Sequence, residues 1–258
     1  PWGVMVSEYM LQQTPVNRVL PKWNEWMERW PTPKDLAKAT PAQVITAWGR
    51  LGYPRRALRL HAAAQIIAED FNNKVPEDQE TLQLLPGIGE YTAAAIAAFA
   101  FEQRSLVMDV NIRRLLVRAI DGEEHPKPAP TAREKARRLA VLPEKNAHVW
   151  AAATMELGAL VCTSKNPTCE LCPIIGQCNW RKNGYPKTEL VRKSQDWHGT
   201  DRKCRGTIVQ ALRENESLTE SAIKKLWPDE SQVEKALKTL ADDLLIERLP
   251  RNRYRLPQ

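Results

Sequence analysis

Hydrophobic spacing along the first 160 residues predicts helix after helix. In "VNRVLPKWNEWMERW" the apolar positions Val16, Val19, Leu20, Trp23, Trp26, Met27 and Trp30 fall three and four apart, the period of one helical face. "RRALRLHAAAQIIAEDF" and "EYTAAAIAAFAF" read as alanine-rich helices, and "NIRRLLVRAI" repeats Ile112, Leu115, Leu116 and Ala119 at the same spacing. Pro31, Pro33, Pro41, Pro54, Pro76 and Pro86 punctuate the run, because proline starts helices but does not continue them. No stretch alternates over a strand's length, so the expected class is all-α. "HPKPAP" (125–130) predicts a loop. After residue 204 three shorter helices follow, in "RGTIVQALREN", "LTESAIKKLW" and "ESQVEKALKTLADDLLIERL". Ile208, Leu212, Ile223, Leu226, Val233, Leu237, Leu240 and Leu244 supply their apolar positions, enough for a small core. "IERLPRNRYRLPQ" then predicts a basic hairpin, and three helices plus a hairpin predict a winged-helix-like module. The expected division is a helical lobe over 1–103, a second over 104–186, a linker over 187–203 and the module over 204–258.

Charge changes this picture in two places. The 258 residues carry 38 Lys+Arg against 31 Asp+Glu, a net charge of +7, which favours a polyanionic partner, nucleic acid first. Residues 181–205 hold eight Lys/Arg against three Asp/Glu, with Gly184, Pro186 and Gly199, a linker signature. No apolar run reaches the ~18 residues of a membrane span. The chain opens at Pro1 inside a predicted helix, so its native start is expected to lie upstream.

Within "VSEYMLQQT" a single carboxylate, Glu8, faces Val4, Met5, Leu11 and Gln12 on a helical wheel. Apolar packing disfavours the charged form, and a carboxyl that keeps its proton can serve as a general acid. A surface glutamate is the equally ordinary reading. In "VMDVNIRRLLVR" Asp109 precedes a helix, with Asn111 two residues on. The first free N–H groups and the helix dipole there favour a charged carboxylate. Most aspartates so placed are only caps. A protonated and an ionised carboxyl together are what hydrolysis through an oxocarbenium-like sugar requires: one protonates the leaving group while the other stabilises or attacks the cation.

"LLPGIGEYTAAAIAAF" places Gly87 and Gly89 in a turn that opens a long helix, where backbone N–H groups can meet a phosphate. The cysteines are Cys162, Cys169, Cys172, Cys178 and Cys204. The first four form a C-x6-C-x2-C-x5-C run able to hold zinc or a [4Fe–4S] cluster. Such clustering suits a reducing compartment rather than a disulfide framework.

"SEYMLQQT", "WGRLGYPRRALRLHAAA", "LPGIGEYTAAAIAAFAF", "DVNIRRLLVR", "MELGALVC" and the cysteine run, in this order over residues 1 to about 186, resemble the MutY-type adenine DNA glycosylases of the helix-hairpin-helix superfamily. The resemblance implies two helical lobes flanking a DNA-binding cleft, a [4Fe–4S] cluster on Cys162, Cys169, Cys172 and Cys178, and excision of adenine mispaired with 8-oxoguanine or guanine in double-stranded DNA. It implies that Glu8 protonates adenine, that Asp109 stabilises or attacks the sugar cation with support from Asn111, and that Tyr91 lies in the catalytic pocket. Gln13 and Tyr53 resemble residues wedged into the base stack, with Thr14 and Leu51 beside them. Phosphate contacts are expected from the Gly87–Gly89 turn, from Arg181 and Lys182, and from the basic linker. A monomer in the bacterial cytoplasm, nucleoid-associated, is implied in the same way.

The chain departs from the family pattern at three points. Val110 stands where a glycine is usual and so requires a negative φ. Pro54 follows Tyr53 where a second aromatic is common. Residues 204–258 are too short for the Nudix-like domain of many members, and are expected to add DNA affinity while doing little to read 8-oxoguanine. The rival readings are an endonuclease III-like lyase, a mismatch-thymine glycosylase and a catalytically silent DNA-binding cluster protein. A lyase needs a lysine nucleophile after the hairpin, where this chain has Tyr91.

Overall fold

The computed structural model describes residues 1–188 and 199–258. Helices dominate: α1 (Trp2–Leu11), α2 (Val16–Arg29), α3 (Pro33–Ala37), α4 (Pro41–Trp48), α5 (Arg55–Asp70), α6 (Gln79–Leu84), α7 (Glu90–Phe101), α8 (Val110–Leu116), α9 (Ala132–Val141), α10 (Ala147–Leu160) and the one-turn α11 (Asn179–Lys182). The C-terminal part continues as α12 (Asp201–Glu214), β1 (Leu218–Thr219), α13 (Glu220–Lys224), α14 (Glu230–Asp242), β2 (Glu247–Leu249) and β3 (Arg253–Arg255). The helices start where their caps dictate. Thr40 and Gln43 form a reciprocal capping box at α4 with Pro41 in its first turn, and the Thr131, Thr200 and Thr219 side chains each accept an N–H bond from the helix they precede.

The described residues form two compact units. One comprises 2–76, 85–87 and 199–258, and the other 1, 77–84 and 88–188. This differs from the boundary expected near residue 103. Helix α7 is apolar on every side, and its Ala95 and Ala98 share a core with Val107, Ile112 and Leu116 around α8 and Ala151 of α10. Burial on all sides groups α7 with α8 and α10.

In the first unit a tryptophan cluster joins α2 to α4. Trp26 meets Trp30 and Trp48 edge-on, with ring centroids 4.8 and 5.5 Å apart, an arrangement aromatic quadrupoles favour. Trp2 anchors α1 by donating to the Trp30 carbonyl at 3.0 Å. Val16 and Leu20, expected on the apolar stripe of α2, are exposed.

The C-terminal residues run helix, strand, helix, helix, strand, strand, with a small antiparallel sheet arranged β1-β3-β2 and Tyr254 paired to both Leu218 and Arg248. Its core contains Cys204, Ile208, Leu212, Ile223, Val233, Leu237 and Leu240, as spacing predicted, but also Ile45 of α4. Two expected core positions fall outside. Leu226 is 41 % exposed because α13 ends at Lys224, and Leu244 is 72 % exposed because the chain turns there through φ 58°. Leu245 and Ile246 are buried instead. The linker expected over 187–203 is shorter at its C-terminal end, since residues 201–203 are already in α12, and residues 189–198 lie outside the described residues. Arg181 and Lys182 likewise belong to α11.

Candidate functional site

Helix α1 carries little polarity, and its Met5, Val6, Tyr9 and Met10 are all buried. Glu8 lies among them at 7 % exposure, so the solvated-surface reading fails. A carboxyl so far out of water is an uncommon feature of a helix whose other buried residues are apolar. Next to it, the Tyr9 hydroxyl donates to the Pro86 carbonyl, and burial pushes that phenol above its usual range. This contact fixes the hairpin turn against α1. Gly87 has φ +87°, and a Cβ there would sit 2.9 Å from the Tyr9 ring and 3.0 Å from Arg59. Only glycine satisfies both conditions. Gly89, the residue before α7, is exposed with nothing within 4 Å of a Cβ position, so its backbone is open to approach. Glu90, one residue on, pairs with Lys135 of α9 at 2.5 Å. Tyr91 packs partly buried against the α7–α8–α10 core.

Gln13 and Tyr53 share an uncommon backbone. Both are non-glycine residues at positive φ, 58° and 46°, and both are exposed. Such conformations cost on the order of 1 kcal/mol each and persist where surrounding structure imposes them. Here the imposing group is Arg56, whose importance no sequence pattern announces. Its Nη1 donates to the carbonyls of Tyr9 (2.9 Å), Met10 (3.1 Å) and Gln12. Its Nη2 donates to Thr14 Oγ1 (3.0 Å) and to the Gly52 carbonyl (3.1 Å). The Thr14 hydroxyl in turn reaches the Leu51 carbonyl at 3.2 Å. One buried guanidinium thus fastens the end of α1 to the 49–53 turn, gathering Gln13, Thr14, Leu51 and Tyr53. Thr14 and Leu51 are buried. Desolvation lowers the Arg56 pKa to about 10, still far above neutrality.

In the second unit, Asp109 caps α8. Its Oδ1 accepts from Asn111 N at 2.6 Å and from Ile112 N at 3.4 Å. Val110 enters the helix directly and is not among the positive-φ residues, as a valine at this point requires. Three arginines of this segment reach outward from one another. Arg113 forms a buried two-point pair with Glu134 of α9, at 2.8 and 2.9 Å. Arg114 donates to the Asn111 side chain at 2.8 Å and to the Cys162 carbonyl at 2.8 Å. Arg118 donates to Cys162 Sγ at 3.3 Å and to the Thr163 carbonyl at 2.8 Å, with its guanidinium 4.6 Å from the Trp180 ring centroid. The segment capped by Asp109 is therefore tied to the cysteine loop. Gly158 of α10 permits this closeness, since a Cβ there would lie 2.5 Å from the Asn111 carbonyl.

Cys162, Cys169, Cys172 and Cys178 line one cavity with Leu115, Arg118, Val161, Ile174 and Trp180. No three His, Cys, Asp or Glu side chains among the described residues converge to hold a single ion. Four cysteine side chains around one cavity are a donor set that either zinc or a [4Fe–4S] cluster could take. Cys204 is elsewhere, fully buried, where desolvation raises its thiol pKa.

The family model for "HhH-GPD superfamily base excision DNA repair protein" matches residues 6–140, more than half of the 258. This chain belongs to the HhH-GPD superfamily. An adenine DNA glycosylase of Mycobacterium tuberculosis is 46 % identical over 261 residues, covering 100 % of this chain and 86 % of that protein. The Homo sapiens adenine DNA glycosylase is 41 % identical over 184 residues, covering 70 % of this chain and 34 % of that protein. Among solved structures, a thermostable thymine-DNA glycosylase superposes with a TM-score of 0.64 at 20 % identity, over 71 % of this chain and 85 % of that one, a likeness of fold.

The HhH-GPD match spans Glu8, the Arg56-centred turn, the hairpin and Asp109, and stops short of the four cysteines and residues 201–258. Arg56 and Gly158 were not found from the sequence. The signal for Gly158 was present in "MELGALVC", a glycine inside an otherwise good helix. Arg56 left none, since an arginine in the first turn of a helix reads as solvated.

Proposed function

We propose that this chain is a monofunctional adenine DNA glycosylase, which hydrolyses the N-glycosidic bond of adenine mispaired with 8-oxoguanine or guanine in double-stranded DNA. The observation that carries the reading is a buried carboxyl at Glu8 in a chain matched along its whole length by an adenine DNA glycosylase. The target base must leave the stack, at a cost of a few kcal/mol. Gln13 and Tyr53, exposed and pre-set in left-handed turns, offset part of that cost by filling the gap, with Thr14 and Leu51 as their support. Glu8 donates its proton to the departing adenine. Asp109, whose Oδ1 accepts from two backbone N–H groups, stabilises the sugar cation until water adds and returns a proton to the Glu8 carboxylate. Asn111, itself held by Arg114, keeps the cap in place, and Tyr91 lines the base pocket.

Cys162, Cys169, Cys172 and Cys178 would hold a [4Fe–4S] cluster. When bound, the cluster organises the loop and, with four thiolates filling its sites, takes no part in hydrolysis. Arg181, Lys182 and the amides of Gly87 and Gly89 meet phosphates, so binding weakens with salt. A lyase is disfavoured because Tyr91 replaces the hairpin lysine and the nearby Lys135 is engaged by Glu90. The test is a panel of duplexes carrying 8-oxoguanine:adenine, guanine:adenine, guanine:thymine and oxidised pyrimidines. Release of adenine alone, leaving an uncut abasic strand, is expected. Thymine or pyrimidine release, strand cleavage, or no excision would each select one of the rivals.

A further inference from the structure

The C-terminal module is built into the unit that carries Tyr53. Its core includes Ile45 of α4, Arg213 of α12 donates to the Ile45 carbonyl at 3.1 Å, and Arg55 of α5 pairs with Asp243 at 3.1 Å. These contacts seat the module on α4 and α5, the helices that flank the 49–53 turn. In that turn of α12, Arg202 is exposed, and its guanidinium carbon lies 5.2 Å from the Tyr53 ring centroid. Arg56 stands at 5.6 Å from the same ring. Tyr53 is 42 % exposed, so it is no core aromatic, and these two guanidiniums are its cationic neighbours. Arg202 has no ion pair or hydrogen bond among the described residues.

An exposed guanidinium–aromatic contact adds little to folding stability. Its consequence is conformational: it restricts a ring that otherwise projects from a strained turn into solvent. A side chain that must enter a base stack loses less entropy if its pose is already set.

We propose that Arg202 is a positioning residue for Tyr53, and that through it the C-terminal module helps decide which mispair is excised. The proposal rests on the reading of Tyr53 as a stack-filling residue. It also departs from the expectation that residues 204–258 add DNA affinity while doing little to read 8-oxoguanine. Arginine is the more frequent partner of an aromatic face, and lysine at this position would keep the charge without the guanidinium.

The test uses the full chain with Arg202→Ala, Arg202→Lys and Tyr53→Ala. Single-turnover excision is measured on 8-oxoguanine:adenine and guanine:adenine duplexes, together with the fluorescence of a 2-aminopurine placed beside the mispair to report stack opening. Arg202→Ala and Arg202→Lys are both expected to lower the ratio of the two excision rates by about two- to tenfold and to reduce the 2-aminopurine signal. Their Tm should match the parent, and Tyr53→Ala should show a larger loss of the same kind. An unchanged ratio in Arg202→Ala with a changed one in Tyr53→Ala would overturn this proposal alone. Full rescue by Arg202→Lys would also overturn it, assigning Arg202 to a phosphate. Unchanged ratios in all three would overturn it together with the reading of Tyr53.

Discussion

Two ionisable side chains of the first unit, Arg56 and Glu8, are buried. Arg56 is surrounded by acceptors, with carbonyls of α1 and of the 49–53 turn on its fork, and the fold needs it there. Glu8 lies on a helix whose other buried residues are apolar, and the proposed function gives it the proton that leaves with adenine. The difference gives opposite predictions. Arg56→Lys keeps the charge but cannot span so many acceptors. Leaving several of them unpaired should cost about 3 kcal/mol or more, seen in a denaturant midpoint, and should also blunt discrimination between 8-oxoguanine:adenine and guanine:adenine. Glu8→Gln, nearly the same shape, should leave the denaturant midpoint within ~1 kcal/mol of the parent. Only Glu8 was legible in the sequence, because its wheel neighbours lie close along the chain. The partners of Arg56 are 42 to 47 residues away in α1 and its end, or in an adjacent turn, and bonds to main-chain carbonyls leave no periodic trace.

At the scale of elements, α8 and α10 meet where Gly158 lets backbones touch. Gly158→Ala must push Asn111 away from its place beside the Asp109 cap. Excision should fall by about tenfold or more while helix content by circular dichroism is kept. Gly206→Ala in α12, with nothing within 4 Å of the new methyl, should be neutral or stabilise by about 0.5–1 kcal/mol. The same α8 segment grips the cysteine loop through Arg114 and Arg118. Purified protein should contain about four iron atoms per chain and absorb visible light. A colourless, active preparation with one zinc would contradict the cluster assignment. Helix existence was readable from apolar spacing almost throughout. Helix ends were less so: Leu226 and Leu244 kept the right spacing on paper but lie beyond the ends of α13 and α14, where the chain turns them outward.

For the molecule as a whole, the three C-terminal helices and the basic hairpin were legible from spacing and charge, while the short strand β1 that pairs with β3 was not. Nor was the module's attachment. Ile45 reads as an ordinary core residue of α4, and nothing in its local sequence says that the module's own core will close over it. Deleting residues 204–258 should therefore expose Ile45 and lower the Tm of the remainder by about 4 °C or more, instead of simply weakening DNA binding as loss of a tethered arm would. The HhH-GPD family assignment rests on the larger, earlier part of the chain. The most direct test of the central claim is single-turnover release of adenine from an 8-oxoguanine:adenine duplex by the parent chain and by Glu8→Gln, with DNA binding measured on the same duplex. The account predicts free adenine and an uncut abasic strand from the parent. It predicts equal binding by the variant and excision slower by at least about a hundredfold. Excision by Glu8→Gln near the parent's rate would contradict the account.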